Sequence, residues 1–169
     1  MSAADMTRAI RRIGHEVIER HRGASGLLVM GIHTRGVYLA DQLARTISDL
    51  ENLDVPVGEL DVGAFRDDLH RRPPPPPART HSPVPVDDAE VIMVDDVLYT
   101  GRTARAAMDA LNELGRPARI ELAVMIDRGH RQLPIRPDYV GKNIPTSVSE
   151  RVTVKVAPVD VSPGVWVER

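Results

Sequence analysis

Cysteine is absent from the 169 residues, which excludes a disulfide framework, a thiolate nucleophile and any zinc site built on sulfur. Aromatic residues are nearly as scarce. One Phe, one Trp and three Tyr leave few platforms for the stacked bases of an RNA-recognition or single-strand-binding sheet. No apolar run approaches the roughly 20 residues that span a bilayer, and the opening MSAADMTRAIRR has no apolar signal region. A cytoplasmic protein without membrane association is expected. Net charge is also small: 22 basic residues stand against 24 acidic ones, a formal charge of -2. A nucleic-acid partner would therefore need a local basic face rather than the average field of the protein.

What is present is enough apolar material, 42% of the chain, for a sizeable core, and the length favours one domain over residues 1–169. Residues 5–22 read as an amphipathic helix, with Met6, Ile10, Ile13 and Val17 forming the apolar stripe and Arg8, Arg12, His15 and Arg22 lying elsewhere. GLLVMGI (26–32) is a buried strand, HTRG (33–36) a polar loop, and residues 37–50 a helix striped by Val37, Ala40, Ala44 and Ile47. VPVGELDV (55–62) is a second strand. Residues 64–88 break the pattern with five successive prolines, Pro73 to Pro77, and are expected to project as a flexible hood. A proline-rich ligand for another protein is the alternative reading of that run.

Regular order resumes with VIMV (91–94), a helix from about Arg102 to Leu114 stopped by Gly115 and Pro117, and the strand IELAVMI (120–126). YVG within the long polar connection after Ile126 is a candidate short strand, and ERVTVKV (150–156) and VWV (165–167) predict late strands at the sheet edge. The fold class is α/β: an open, mostly parallel sheet flanked by helices, with functional loops beyond the carboxyl ends of its strands.

The stretch VIMVDDVLYTGRT carries the chemistry. Asp95 and Asp96 at the end of a buried strand are costly unless hydroxyls, backbone donors or a metal meet them. Gly101 permits a tight turn, and the amides of Thr100 to Thr103 converge at a helix start that suits a phosphate dianion. The loop is too short for a Walker A motif, and one glycine makes no GxGxxG fingerprint. Acids before a phosphate cradle fit a sugar phosphate, with the carboxylates on ribose hydroxyls. A plainer role stays open at this point, in which Asp95 caps local backbone and Thr103 caps a helix.

VDDVLYTGRT, GIHTRGVYLA, FRDDL and DRGHRQLPIRPDYVGKNIPTS, in this order over nearly the whole chain, resemble the PyrR family of pyrimidine-operon regulators and uracil phosphoribosyltransferases, within the type I phosphoribosyltransferases. The resemblance implies transfer of a ribosyl phosphate from 5-phospho-α-D-ribose 1-diphosphate (PRPP) to uracil, giving UMP and diphosphate. It places the donor on Thr34, Arg35 and Gly36 at the diphosphate end, on Asp95 and Asp96 at the ribose, and on Val97, Leu98, Tyr99, Thr100, Gly101, Arg102 and Thr103 around the 5′-phosphate. Asp95, Asp96 and Arg35 are the expected catalytic residues, acting by orientation and charge stabilisation. Mg²⁺ is expected on the donor's own oxygens, with no residue set aside as a dedicated metal ligand. The base and nucleotide pocket falls on Ile126, Asp127, Arg128, Gly129, Val152 and Thr153; Asp127 and Arg128 also allow a local ion pair. Arg66 and Arg79 of the hood would reach phosphate on closure. Two departures from the family pattern are Phe65 for the commoner Tyr and His33 for a common Lys, the second weakening fixed positive charge beside the diphosphate.

The resemblance further implies binding of pyrimidine-operon leader RNA under control of UMP or UTP, and a homodimer or higher oligomer. Arg8, Arg11, Arg12, His15 and Arg22, joined by His130, Arg131, Arg136 and Lys142, would form the RNA face; an ordinary solvated helix face is the alternative for the first five. An RNA-binding nucleotide sensor with little transferase activity and a phosphoribosyltransferase for another base are the other functional readings.

Overall fold

The computed structural model describes residues 1–67 and 78–169. Asp68, Leu69 and the run Pro73 to Pro77 lie outside the described residues. Helix α1 spans Ala3–His21 and begins earlier than its apolar stripe, because Ser2 and Asp5 close a capping box in which each side chain accepts the other's amide. Strand β1 (Leu27–Ile32) leads into α2 (Arg35–Glu51), so the helix begins inside the segment read as a polar loop. Strand β2 is Val57–Leu60, followed by a 3₁₀ turn at Gly63–Phe65. Strand β3 (Glu90–Leu98), helix α3 (Arg102–Asn112) and strand β4 (Arg119–Asp127) form the next unit. Strands β5 (Tyr139–Asn143), β6 (Arg151–Lys155) and β7 (Gly164–Glu168) complete the order.

Five strands form a parallel sheet in the order β2-β1-β3-β4-β5. Side-chain alternation divides the core. Leu27 and Val29 of β1 and Ala123 and Met125 of β4 meet Met6, Ile10, Ile13, Leu39, Leu43 and Ile47 of α1 and α2. Leu28, Met30, Leu122 and Val124 face Ala104, Ala107 and Leu111 of α3. Burial on both faces explains why these strands read as unbroken apolar runs.

Two expectations need correction. Strand β3 does not stop at Val94 but continues through both acids, because Asp95, Val97 and Leu98 remain in register with Val124, Ile126 and Asp127 of β4. The late strands do not extend the sheet edge; β6 and β7 pair antiparallel with each other as a separate two-stranded sheet.

The strand order positions the site. The chain leaves β1 toward β2 on one side and leaves β3 toward β4 on the other, so the loops after β1 and β3 flank the crevice where the winding reverses.

Candidate active site

The loop after β1 is held against β3 by backbone contact. A Cβ on Gly36 would stand 2.4 Å from the Val94 carbonyl oxygen and 3.3 Å from Asp95 Cα, so only glycine lets the start of α2 approach the acids this closely. The peptide joining His33 to Thr34 is cis. His33 is engaged by Glu59 of β2, with 2.9 Å between Nε2 and Oε2. Arg35 makes a two-point bridge to Asp160 in the turn between β6 and β7, Nε to Oδ2 at 3.0 Å and Nη2 to Oδ1 at 3.1 Å.

Asp95 is buried, and its carboxylate accepts the Asp96 amide at 2.8 Å; Asp96 accepts the Val97 amide at 2.7 Å. Local capping therefore occupies one oxygen of each carboxylate. Burial, reinforced by the neighbouring Asp96, pushes Asp95 well above the usual carboxylate range. Burial also raises Asp96, against the opposing pull of Asp95, the Val97 amide and Arg35. Adjacent acids withdrawn from water in this way favour a ligand bringing hydroxyl donors or positive charge.

Gly101 opens α3 in the left-handed region at φ 93° and brings no side-chain cap, and the Arg102 amide makes one long contact to Thr100 Oγ1 at 3.4 Å. Thr103, exposed in the first turn, is therefore not its N-cap. The leading amides of a helix have no carbonyl partner within it and present positive potential to an anion. The loop is braced from behind: the Gln132 and Leu133 amides donate to the Thr100 carbonyl at 3.0 and 3.1 Å. Arg102 pairs with Asp67 and donates to Gln132 at 3.2 Å. Val97 and Leu98 pack into the two core layers.

Beyond β4, Arg128 is buried and lies over the Tyr99 ring with 4.1 Å from its guanidinium carbon to the centroid. It donates to Thr146 Oγ1 at 3.2 Å and to the Ser147 carbonyl at 3.0 Å. The ion pair considered for Asp127 and Arg128 does not form: Asp127 takes the Gly129 amide at 2.9 Å and Arg131 at 2.5 Å. Ile126 is wholly buried, whereas Thr153 on β6 is half-buried beside buried Val152. Around the insertion, Asp61 ties the two chain ends together by accepting the Gly63 and Ala78 amides, each at 2.8 Å. Arg66 follows the 3₁₀ turn in extended backbone, and Arg79 is exposed.

A phosphoribosyl transferase domain model matches residues 3–162. A bifunctional PyrR protein of Thermus thermophilus is 56% identical over 161 residues, 95% of this chain and 89% of its own length. One from Enterococcus faecalis is 50% identical over 169 residues, 100% of this chain and 95% of its own. The chain belongs to the PyrR family of phosphoribosyltransferases. A hypoxanthine phosphoribosyltransferase of Trypanosoma cruzi shares the fold at TM-score 0.75 and 18% identity, covering 99% of this chain and 92% of that one.

The PyrR-type basic residues differ in their surroundings. Arg8 pairs with Asp5, Arg11 and His15 are exposed, and Arg22 ends α1 in the left-handed conformation. His130, Arg131 and Arg136 line one cavity of about 400 Å³, with Lys142 exposed on β5. Arg12 and Arg131 differ from the expected free cations. Arg12 donates to the carbonyls of Val140 at 3.1 Å and Gly141 at 2.7 Å, fastening α1 to β5. Arg131 donates to the carbonyls of Tyr99 at 2.8 Å and Ile135 at 3.0 Å besides pairing with Asp127. These contacts tie both guanidinium groups to the fold, while Arg12, which also pairs with Glu16 at 2.8 Å, keeps a half-exposed side chain. Sequence reasoning passed over Asp160, Glu59 and Asp61. Asp160 stands between Pro158 and Pro163, a turn signal, but no local pattern links it to Arg35.

Proposed function

We propose that this protein transfers the ribosyl phosphate of PRPP to uracil, giving UMP and diphosphate, and that uridine nucleotides in the same crevice control its binding to pyrimidine-operon leader RNA. The observation carrying the reading is the approach of the Thr34–Gly36 loop to Asp95, with Asp96 and the uncapped start of α3 following on the same strand-to-helix segment. The 5′-phosphate belongs at Thr100 to Thr103 and the ribose hydroxyls at Asp95 and Asp96. Arg35 and the loop amides face the departing diphosphate. The adjacent carboxylates suit a divalent cation as well as hydroxyls; Mg²⁺, bound chiefly through PRPP, would supply charge neutralisation on the leaving group.

Uracil approaches the anomeric carbon from the face opposite diphosphate, and the acids stabilise the developing positive charge without forming a covalent bond. Ile126 to Gly129 and Val152–Thr153 are the base and nucleotide residues, acting largely through their backbone, with Arg128 held ready by Tyr99. Arg66 and Arg79 are assigned to the cover over the donor, residues 64–88 of a single phosphoribosyltransferase domain. Arg8, Arg11, Arg12, His15, Arg22, His130, Arg131, Arg136 and Lys142 are the RNA-facing residues of this reading. Val159, Val161, Trp166 and Val167 on the β6–β7 unit are exposed, which supports self-association through that unit. A base panel with PRPP and Mg²⁺ tests the assignment: UMP forms from uracil, whereas conversion of hypoxanthine or guanine without UMP overturns it.

A further inference from the structure

We infer that Asp160 is a positioning residue for Arg35, holding the guanidinium in the one orientation from which it serves the diphosphate end of the donor. The inference rests on the phosphoribosyl transfer proposed above. Arg35 is the first residue of α2, where the helix's own partial positive charge disfavours a cation. Asp160 offsets that penalty through the Nε–Nη2 edge of the guanidinium, at 3.0 and 3.1 Å. An arginine has five N–H bonds, so this arrangement leaves three for an anion.

The carboxylate is itself fixed. Its Oδ2 accepts the Val156 amide at 2.9 Å, and the Asp160 amide donates to the Val156 carbonyl at 2.8 Å. Asp160 thus cannot swing away with Arg35 unless the turn opens. Val156 directly follows β6, which carries Val152 and Thr153. One hairpin therefore bears the nominated base wall and orients the nominated diphosphate arginine, and the two ends of the substrate are gripped by connected parts. The hydrogen bond to Arg35 and the Val156 amide hold Asp160 below the usual carboxylate range, so it stays charged as this role requires.

The test is calorimetric binding of Mg-PRPP, and separately of Mg-diphosphate, to wild type, Asp160→Asn, Arg35→Ala and the double variant. Asparagine keeps an oxygen for the Val156 amide, so Asp160→Asn is expected to stay folded and melt cooperatively, at a somewhat lower temperature than wild type because the charged contact to Arg35 is lost. Both ligands should weaken roughly 10- to 100-fold in Asp160→Asn, the scale of loss when a binding group is misplaced by about 1 Å. In the Arg35→Ala background the same change should add nothing, since a residue acting through Arg35 has nothing left to position. Equal losses in both backgrounds, unchanged affinity, or tighter binding by Asp160→Asn would overturn the inference; tighter binding would make Asp160 a competitor of the diphosphate. Donor binding needs no base, so a wild type that binds Mg-PRPP but makes no UMP removes the uracil assignment and leaves this test standing.

Discussion

Replacing Asp96 by asparagine separates what the acidic pair does for transfer from what it costs the fold. Asp96 accepts the Val97 amide through one oxygen at 2.7 Å, and an asparagine oxygen can do the same in the same volume. The change therefore deletes charge with little loss of packing. Burial holds both Asp95 and Asp96 above the ordinary carboxylate range, and their proximity adds to the effect on Asp95. A carboxyl raised on folding contributes stability that is complete below its unfolded value and is lost as pH rises through the folded value. At neutral pH the pair thus opposes folding. Asp96→Asn is therefore expected to melt higher than wild type at pH 7.5, on the scale of roughly 2–4 °C for each kcal/mol relieved in a chain of this size. The gain should vanish below about pH 4, where carboxyls are protonated in both states. UMP synthesis should fall by roughly 10²–10³, as on removal of a group aimed at transition-state charge. Thermal melts from pH 4 to 8, paired with initial rates, provide the assay. An unchanged or lower melting temperature at pH 7.5 would refute the electrostatic argument, and unchanged kcat/KM would move Asp96 away from the reacting ribose.

Thr103→Val should weaken PRPP by about 1.5–3 kcal/mol, the value of a hydrogen bond to a charged partner, with no change in melting temperature because Thr103 does not cap α3; donor titration and a melt check the two halves. Arg12→Gln should destabilise the fold by about 1–2 kcal/mol through loss of the Val140 and Gly141 contacts, read in urea denaturation, so reduced RNA binding by this variant would not by itself identify a phosphate contact. Glu121→Gln should cost roughly 3 kcal/mol at neutral pH, as for breaking a buried charged pair. Although burial raises Glu121, Tyr139, His21 and Arg20 outweigh it and hold the group below its usual range. Its contribution is therefore present above the unfolded carboxylate value and lost as pH falls through the folded one; denaturation at pH 7.5 and in acid should show the variant and wild type converging.

Strands β1, β3 and β4 were legible because burial on both faces gives each an apolar run, and the helices because α1 and α2 each bury one stripe. The phosphate turn was legible for a different reason: its acids, hydroxyls and Gly101 are contiguous in VDDVLYTGRT. What lay outside local pattern was missed. The apolar run ends at Val94, yet β3 continues to Leu98 because β4 continues to pair with it. The alternation of ERVTVKV marks a strand but not its partner, which is β7 rather than the main sheet. Arg35 reaches Asp160 across 125 positions of sequence, and Arg12 reaches Val140 across 128; helical spacing identifies a polar face without identifying the carbonyls lying against it.

Charge at the two ends of the sheet distinguishes scaffold from site. Near the amino ends of β3 and β4, buried Glu121 accepts the Tyr139 hydroxyl at 2.7 Å and meets His21 at 2.8 Å, while His21 also pairs with Glu90. Arg20 joins from α1. Those partners draw Glu121 below its ordinary range, as expected of a polar network satisfied by the protein itself. Toward the carboxyl end of β3, buried Asp95 and half-buried Asp96 have backbone donors and one nearby arginine, and both are held above theirs. The first carboxylate is ringed by side-chain donors, whereas the second pair accepts from the backbone amides that follow each acid. A carboxylate supplied with donors stabilises the fold that encloses it, whereas a pair left short of them stores free energy that a ligand bringing hydroxyls and positive charge releases. The fold concentrates this shortfall beside the glycine-held start of α2 and ahead of the uncapped start of α3, where a sugar phosphate carries its hydroxyls and anionic groups in matching order.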